Sequence, residues 1–543
     1  MTDRPSPPTA RRDASAGIAA AALLLGASNL VSRVLGFGRD WLINFEFGAT
    51  GQTDVYQASF TLPDFINYLL AGGALSVSLL PRMAELYAKR DGPADGITAD
   101  RAFSVVCSAM IVAATVLVGL AMLAANPIIR WWFPGFTDQQ VELTTHLTRI
   151  VLPAQLFFLV GGLFQAALLA RQQFRAMALT PLLYNAGIIV GGLLGGKLGQ
   201  IEGFSWGALA GALLGGLAVP VLAARPVVRM QFVWAPTHPE VKRFLWVAAP
   251  LMIGVSLTTV DEWLAKHYAS ALQAGAISWL MTARRVMLVP VGLLGAAAGQ
   301  ATGAFLARLH AEGDRVQMAQ VLARAMAATV SLSLLFAGIL CALAEPIVRL
   351  LFAYGKFGEA DVQMTANALQ VLAWAVPVWG AQQVMARAFY AVGDTWRPMI
   401  ATSLVTVVML PVYAHLSAWP GREIAGLCAA GVVGIALQAV ALTAIAGRRL
   451  GFDGQAFLRA VAPAAAVASV GGVLAAVVDG WIGSAVTQAA VGLPFGSVIG
   501  RVIRLALGAA PWAVVIGVAA SMTQLPGLPG RVQRLVRPAS KAS

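Results

Sequence analysis

Four arginines are the residues of this sequence that could bind an anion, because they lie inside apolar stretches. Arg33 and Arg39 occur in SRVLGFGRD, and Arg284 and Arg285 occur in SWLMTARRVMLVP. The planar guanidinium group binds a phosphate or a carboxylate through two parallel hydrogen bonds. A charge at the centre of a bilayer costs about 2.5–3.5 kcal/mol on insertion scales. Four such residues therefore predict a water-filled site for an anionic ligand.

A second interpretation is that each arginine extends to the membrane surface or pairs with an acidic residue of the chain. The acidic residues available nearby are Asp40, Asp54, Asp64, Asp261 and Glu262. Pairing explains any one arginine more readily than all four, since the excess positive charge needs an anionic ligand. Glycines at positions 36 and 38 favour a bend or an unwound turn between Arg33 and Arg39. Such a turn would let both arginines face one cavity, although they are six positions apart and an ideal helix would separate them.

Three carboxylates, Asp54, Asp261 and Glu262, are candidates for a proton or cation site that couples transport. The interpretation we prefer is a local ion pair, since Glu262 and Lys266 are four positions apart on a predicted helix. Ser278 lies two helical turns before Arg285, on nearly the same face. The histidines are scattered and no metal-ligand spacing occurs, so we expect no metal, no cofactor and no catalytic group.

Membrane-spanning helices must position these residues. Only 12% of the 543 residues are charged and 58% are hydrophobic, whereas soluble proteins carry about 25% charged residues. Apolar windows of about 20 residues, the length that crosses a bilayer, recur along the chain. We predict an all-α polytopic protein with fourteen spans: 17–46, 54–81, 103–125, 147–170, 178–196, 204–223, 245–265, 273–303, 325–344, 364–386, 398–416, 424–446, 460–480 and 502–522.

The basic residues fix the predicted orientation. Most of the 38 basic residues fall in the two tails and in alternate joints, which places both termini in the cytoplasm. The net charge of +13 therefore indicates membrane topology and not nucleic-acid binding. Residues 161–187 resemble 379–405, which indicates a parallel repeat of two six-helix lobes. The predicted parts are a tail (1–16), an N-lobe (17–223), a cytoplasmic linker (224–244), a C-lobe (245–446), two further helices (447–522) and a basic tail (523–543).

Four segments carry a resemblance to a known family. The run SRVLGFGRDWLINFEFGATGQTDVYQASFTLPDF (32–65) closely resembles the N-terminal signature of the MurJ/MviN lipid II flippases of the MOP exporter superfamily. SWLMTARRVMLVPVGLLG (278–295), EPIVRLLFAYGKF (345–357) and ARAFYAVGDTWRPM (386–399) match further, in the family's order. The resemblance implies fourteen helices, a MATE-like V of two lobes around a cationic cavity, and a groove at the last two helices for a lipid tail.

The resemblance also implies a function. A family member is expected to be a monomeric protein of the bacterial inner membrane, and not an enzyme. It would flip lipid II, the undecaprenyl-pyrophosphate-linked peptidoglycan precursor, from the inner to the outer leaflet by alternating access, for cell-wall synthesis. The cavity residues carried over by motif are Ser32, Arg33, Arg39, Asp54, Ser278 and Arg285. Of these, the three arginines would bind the pyrophosphate and head group, and we add Asn67 and Arg284 as further candidates for substrate binding.

Four positions depart from the family pattern: Thr61, Asn67, Gly72 and Arg284 stand where the family has Lys, Arg, Glu and Asp. These departures leave open a flippase for another polyprenyl-pyrophosphate glycan, of the O-antigen or capsule type. A cation-coupled multidrug exporter is a weaker alternative, because such a site favours acidic residues. A membrane glycosyltransferase would need acidic or histidine clusters in longer loops.

Overall fold

The computed structural model describes residues 8–71, 79–88, 98–196, 198–253, 257–394, 396–489 and 496–522. These residues form helices and the turns between them, without a strand in any of the described ranges. The chain divides into two compact units, of which the first comprises Met1–Phe47 with Gly51–Val255, and the second Gly48–Thr50 with Ser256–Ser543.

Unit 1 contains eleven α-helices in its described residues. They are α1 (Pro8–Phe47), α2 (Gly51–Ser59), α3 (Thr61–Ala71), α4 (Leu80–Ala88), α5 (Ala99–Trp132), α6 (Asp138–Val151), α7 (Pro153–Ala170), α8 (Arg175–Gly196), α9 (Glu202–Gly211), α10 (Val219–Ala224) and α11 (Pro239–Ile253). A π-helical segment, Ala212–Ala218, joins α9 to α10. Helix α11 belongs to unit 1. It includes the last six residues of the predicted linker (224–244) and the first part of the seventh predicted span (245–265).

Helix α5 shows how the bilayer shapes the sequence of unit 1. Its inner face packs Phe103 and Met110 into the core, where their exposed fractions are 0% and 4%. Its outer face is equally apolar, with Leu120 and Leu123 exposed. A helix that packs against a protein core on one side and against lipid on the other needs no polar face. Its sequence is therefore apolar on every side.

Glycines let α8 and α9 approach until their backbones touch. Gly187, Gly191 and Gly195 of α8 face Gly203, Gly207 and Gly211 of α9. A Cβ atom on Gly191 would lie 2.3 Å from the carbonyl oxygen of Gly203, inside van der Waals contact. Small residues four apart are the usual means of close helix packing in membranes, where apolar burial gives no advantage over lipid.

Unit 2 also contains eleven α-helices in its described residues. They are α12 (Leu257–Ala269), α13 (Ala276–Pro290), α14 (Ala297–Glu312), α15 (Arg315–Ala342), α16 (Ala344–Phe352), α17 (Glu359–Leu372), α18 (Ala375–Ala391), α19 (Trp396–Ser417), α20 (Glu423–Leu450), α21 (Gly454–Ala489) and α22 (Gly496–Met522). A π-helical segment, Val291–Ala296, joins α13 to α14. The core lies between α15, α18 and α20, where Leu322, Met385 and Leu442 are fully buried.

Two arginines of α22 attach the last helix pair to unit 2. The Arg504 guanidinium donates to Asp479 of α21 at 2.7 Å and to Glu345 of α16 at 2.5 Å. Arg501 donates to the carbonyl oxygens of Arg349 and Ala353, at 3.2 and 3.0 Å. Both arginines are therefore bound within unit 2, where they stabilise the position of α22.

The all-helical, polytopic class predicted from the sequence is confirmed. Ten stretches of the described residues are long and apolar enough to cross a membrane, and each overlaps one predicted span. The predicted spans without such a stretch are 17–46, 54–81, 245–265 and 364–386. Two of them are interrupted within the described residues: 54–81 after Ser59, and 364–386 between α17 and α18. The span 245–265 includes residues outside the described ranges. The count of fourteen stays a prediction.

Helix α1 begins at Pro8, within the predicted tail 1–16. The predicted basic tail 523–543 lies outside the described residues.

Candidate substrate site

Helix α1 carries three of the predicted residues, Ser32, Arg33 and Arg39. The helix is continuous from Pro8 to Phe47, so the unwound turn expected at its glycines does not occur. A glycine weakens a helix but does not break its hydrogen bonds. In a continuous helix six positions turn through about 600°, so the two arginines leave different sides of α1. Arg33 is exposed, whereas Ser32 and Arg39 are half-buried.

Asn185 of α8 joins two of these residues. Its Nδ2 donates to the Ser32 hydroxyl at 3.2 Å and to the carbonyl oxygen of Pro181 at 3.0 Å. Its Oδ1 accepts from Arg39 Nη1 at 3.5 Å. The Nε of Arg39 donates to Asp40 at 3.0 Å, so Arg39 is held between an amide and a carboxylate. Asn185 thus contacts two candidate residues, and the sequence analysis did not select it. The one feature of the sequence that could have indicated it is an amide side chain within an otherwise apolar helix.

The remaining predicted residues of unit 1 lie on α2 and α3. Asp54 is buried in the first turn of α2, where the helix dipole favours a negative charge. Thr61 is buried at the start of α3, and its hydroxyl has no hydrogen-bond partner among the described residues. Asn67 is half-buried on α3. Gly72, the other departure from the family pattern in this unit, lies outside the described residues.

In unit 2, Arg284 of α13 forms a buried ion pair with Asp261 of α12. Arg284 Nη1 donates to Asp261 Oδ2 at 2.5 Å, and the exposed fractions of the two residues are 7% and 4%. The Tyr413 hydroxyl of α19 donates to the other carboxylate oxygen. The guanidinium also stacks over the ring of Trp379, 5.4 Å from its centroid. A Cβ atom at Gly431 of α20 would stand 3.2 Å from Asp261 Oδ1, so a glycine lets the helices close around the pair.

Glu262 forms the local ion pair that its spacing favours, with Lys266 Nζ 2.9 Å from its carboxylate. Ser278 is buried on α13 and Arg285 is half-buried on the same helix. Helix α13 begins after Gly275, whose φ of 96° is in the left-handed region that favours glycine. Both candidate coupling carboxylates of unit 2 therefore already interact with a cation of the protein.

The four arginines thus behave differently. Arg39 and Arg284 pair with carboxylates, as the second interpretation had it, while Arg33 is exposed and Arg285 is half-buried. An arginine held by a carboxylate or an amide is pre-oriented and still offers its remaining N–H groups to a ligand. Arg284, buried on all sides, is the exception: its position suits a structural ion pair better than contact with a substrate.

The described residues form an all-helical membrane protein with several arginines inside its apolar helices. The fold is similar to a solved structure of a lipid II flippase MurJ in an inward closed conformation, with a TM-score of 0.72 and 20% identity, over 91% of this chain and 98% of that one. It is also similar to an inward-facing MATE family multidrug resistance transporter, with a TM-score of 0.62 and 17% identity, over 79% of this chain and 96% of that one.

The sequence model of the lipid II flippase MurJ family matches residues 43–495, and the chain belongs to this family. It is 28% identical over 416 residues to the lipid II flippase MurJ of Burkholderia cenocepacia, across 73% of this chain and 79% of that protein. It is 28% identical over 434 residues to a probable lipid II flippase MurJ of Bdellovibrio bacteriovorus, across 78% and 80%. The family comprises membrane transporters and not enzymes, and the predicted resemblance is confirmed. Ser32, Arg33 and Arg39 precede the matched range.

Proposed function

We propose that this protein flips lipid II from the inner to the outer leaflet of the bacterial inner membrane, by alternating access. The observation that carries the proposal is the family match over residues 43–495. Arg33, Arg39 and Arg285 would bind the pyrophosphate and head group, because guanidinium groups bind phosphate oxygens in pairs. Ser32, Ser278 and Asn67 would add neutral hydrogen bonds.

An apolar groove in unit 2 suits the polyprenyl tail. It has a volume of about 800 Å³ and lies between α15, α18, α20 and the start of α21. Its lining is almost entirely apolar and includes Val378, Val440, Phe457 and Leu458. The last two of these residues belong to the predicted tail-groove region 447–522, which supports this assignment.

For the coupling of transport we favour the membrane potential over a cation bound at Asp261 or Glu262. Arg284 and Lys266 already neutralise these carboxylates, at 2.5 and 2.9 Å. Asp54 remains a candidate for a coupling ion, because it is a buried carboxylate near predicted cavity residues in sequence. Each charge that crosses the membrane field contributes about 2.3 kcal/mol per 100 mV. We further propose cytoplasmic termini and a monomer.

The experiment that tests this function is complementation of a strain depleted of its lipid II flippase. Wild-type protein should restore growth and the surface accessibility of lipid II. Arg33→Ala, Arg39→Ala and Arg285→Ala should each reduce both. Arg130→Ala is the matched control, since Arg130 is an exposed arginine whose partner is Asp138.

Two outcomes would count against the proposal in different ways. If membrane-inserted wild-type protein leaves lipid II inaccessible, lipid II is not the substrate. If the wild type complements and the three variants do so equally well, the flippase function stands and the arginine site is wrong.

The second candidate is a flippase for another polyprenyl-pyrophosphate glycan. It is favoured by the departures at Thr61, Asn67, Gly72 and Arg284, which alter the charge expected near the head group. Rescue of an O-antigen or capsule export defect, without rescue of lipid II flipping, would support it.

A further inference from the structure

A basic pocket lies in unit 2 where three helix connections meet. It has a volume of about 690 Å³ and is lined by the ends of α14, α18 and α20 and by the starts of α15 and α19. One arginine lies beside each connection: Arg315 at the start of α15, Arg397 at the start of α19, and Arg449 at the end of α20. The pocket shares no residue with the candidate substrate site.

The charge of this pocket is positive after its internal ion pair is considered. Arg397 pairs with Asp394, the one carboxylate of the lining. Arg315 and Arg449 are exposed, and neither forms an ion pair within the described parts of the chain. Since like charges repel and no carboxylate of the lining remains for them, an anion placed between them would be attracted by both.

The pocket also has an apolar wall. Val316, Met318 and Phe389 line it, and Met318 and Phe389 belong to the buried core of the unit. A soluble phosphate would gain nothing from such a wall, whereas the glycerol and acyl part of a phospholipid would cover it. The three connections are also predicted to face the cytoplasm, where acidic lipids attract arginine near the membrane surface.

We propose that this pocket binds the phosphate of an acidic phospholipid head group. Arg315 and Arg449 donate to the phosphate oxygens, and Asp394 orients Arg397 beside them. The bound lipid links three connections of unit 2, and it is distinct from the transported substrate. The proposal does not depend on which lipid-linked glycan the protein moves.

The test compares two double variants with the same loss of charge. Arg315→Gln with Arg449→Gln removes the two pocket arginines. Arg308→Gln with Arg448→Gln is the matched control, since both residues neighbour the pocket in sequence but do not line it. Purified full-length proteins are titrated with phosphatidylglycerol in zwitterionic micelles, and the bound lipid is counted by native mass spectrometry. Inorganic phosphate is titrated in a parallel series.

Two arginines that donate charge-assisted hydrogen bonds to one phosphate should together account for about tenfold or more in affinity. We expect the wild type and the control to bind one phosphatidylglycerol with equal affinity, and the pocket variant to bind it at least tenfold more weakly. Equal binding by all three proteins, or an equal loss in the control, would overturn the pocket. Saturation by inorganic phosphate that phosphatidylglycerol does not displace would overturn the lipid as the source. Arg449→Lys, which keeps the charge, should bind with intermediate affinity and confirms that the fold tolerates changes here.

Discussion

The buried ion pair between Asp261 and Arg284 allows a quantitative prediction. Arg284→Met removes the guanidinium but keeps a flexible apolar side chain of similar length. Asp261 is then left with an exposed fraction of 4% and with Tyr413 as its remaining described partner. Removing one partner of a buried ion pair costs about 3–5 kcal/mol, because the other charge stays desolvated. We expect Arg284→Met to lower the free energy of unfolding by this amount.

The double variant separates the cost of an unpaired charge from the value of the pair itself. Asp261→Leu combined with Arg284→Met removes both charges of the pair, and such replacements are often neutral or stabilising. The double variant should therefore be more stable than either single variant. Arg130→Met is the control, since its ion pair with Asp138 is exposed and worth about 0–1 kcal/mol.

Reversible unfolding in mixed micelles, followed by tryptophan fluorescence during titration with a denaturing detergent, measures these free energies. The reasoning is refuted if Arg284→Met costs less than about 1 kcal/mol, or if the double variant loses the sum of the two single losses. Additivity would mean that the two side chains do not interact in the membrane.

Three further predictions follow from other parts of the molecule. Gly191→Ala should destabilise the protein in the same unfolding assay, because the new Cβ would lie 2.3 Å from a carbonyl oxygen, whereas Gly119→Ala, with nothing within 4 Å, should be neutral or slightly stabilising. Asn185→Leu should weaken binding of a soluble pyrophosphate analogue, measured by calorimetry, and Asn185→Gln should restore part of it; equal affinity in all three proteins would show that the amide does not orient the site. The hydrogen bond from Arg349 lowers the pKa of the Glu359 carboxyl, so its stabilisation is present above the unfolded-state pKa and is lost as the pH falls through the lower folded-state pKa. Glu359→Gln should flatten that acid-side decline, with an effect below about 1 kcal/mol because the pair is exposed; a decline as steep as in the wild type would contradict the assignment.

The helical membrane class was predictable because hydropathy and charge content follow from the sequence alone and do not depend on tertiary contacts. The low charge content and the recurring apolar windows sufficed for ten of the predicted spans. The spans 54–81, 245–265 and 364–386 are harder to define from the sequence, since polar residues lower their hydropathy. These spans and α1 carry several of the site candidates, such as Asp54 and Asp261. The charged and polar residues that are candidates for the site thus lie in the helices whose apolar pattern is weakest.

The sequence offered Asp40 and Asp261 as possible partners of the arginines but did not assign them, because packing brings most contacts together from distant parts of the chain. Arg39 meets Asn185, 146 positions away, and Asp261 meets Tyr413, 152 positions away. Sequence spacing resolved local contacts, such as Glu262 with Lys266, but not which side of α13 faces the core. Arg284 was predicted to contact substrate; the structure pairs it with Asp261, and the substrate contact stays a prediction.

The Asp261–Arg284 pair also has an electrical consequence. A motion that carries both side chains through the membrane field moves no net charge, so the pair adds nothing to voltage dependence. Asp261→Asn would leave the arginine charge uncompensated, and the same motion would then change in energy by up to about 2.3 kcal/mol per 100 mV. The carboxylate therefore cancels the contribution of Arg284 to voltage dependence, and its loss would make the same motion more sensitive to the membrane potential.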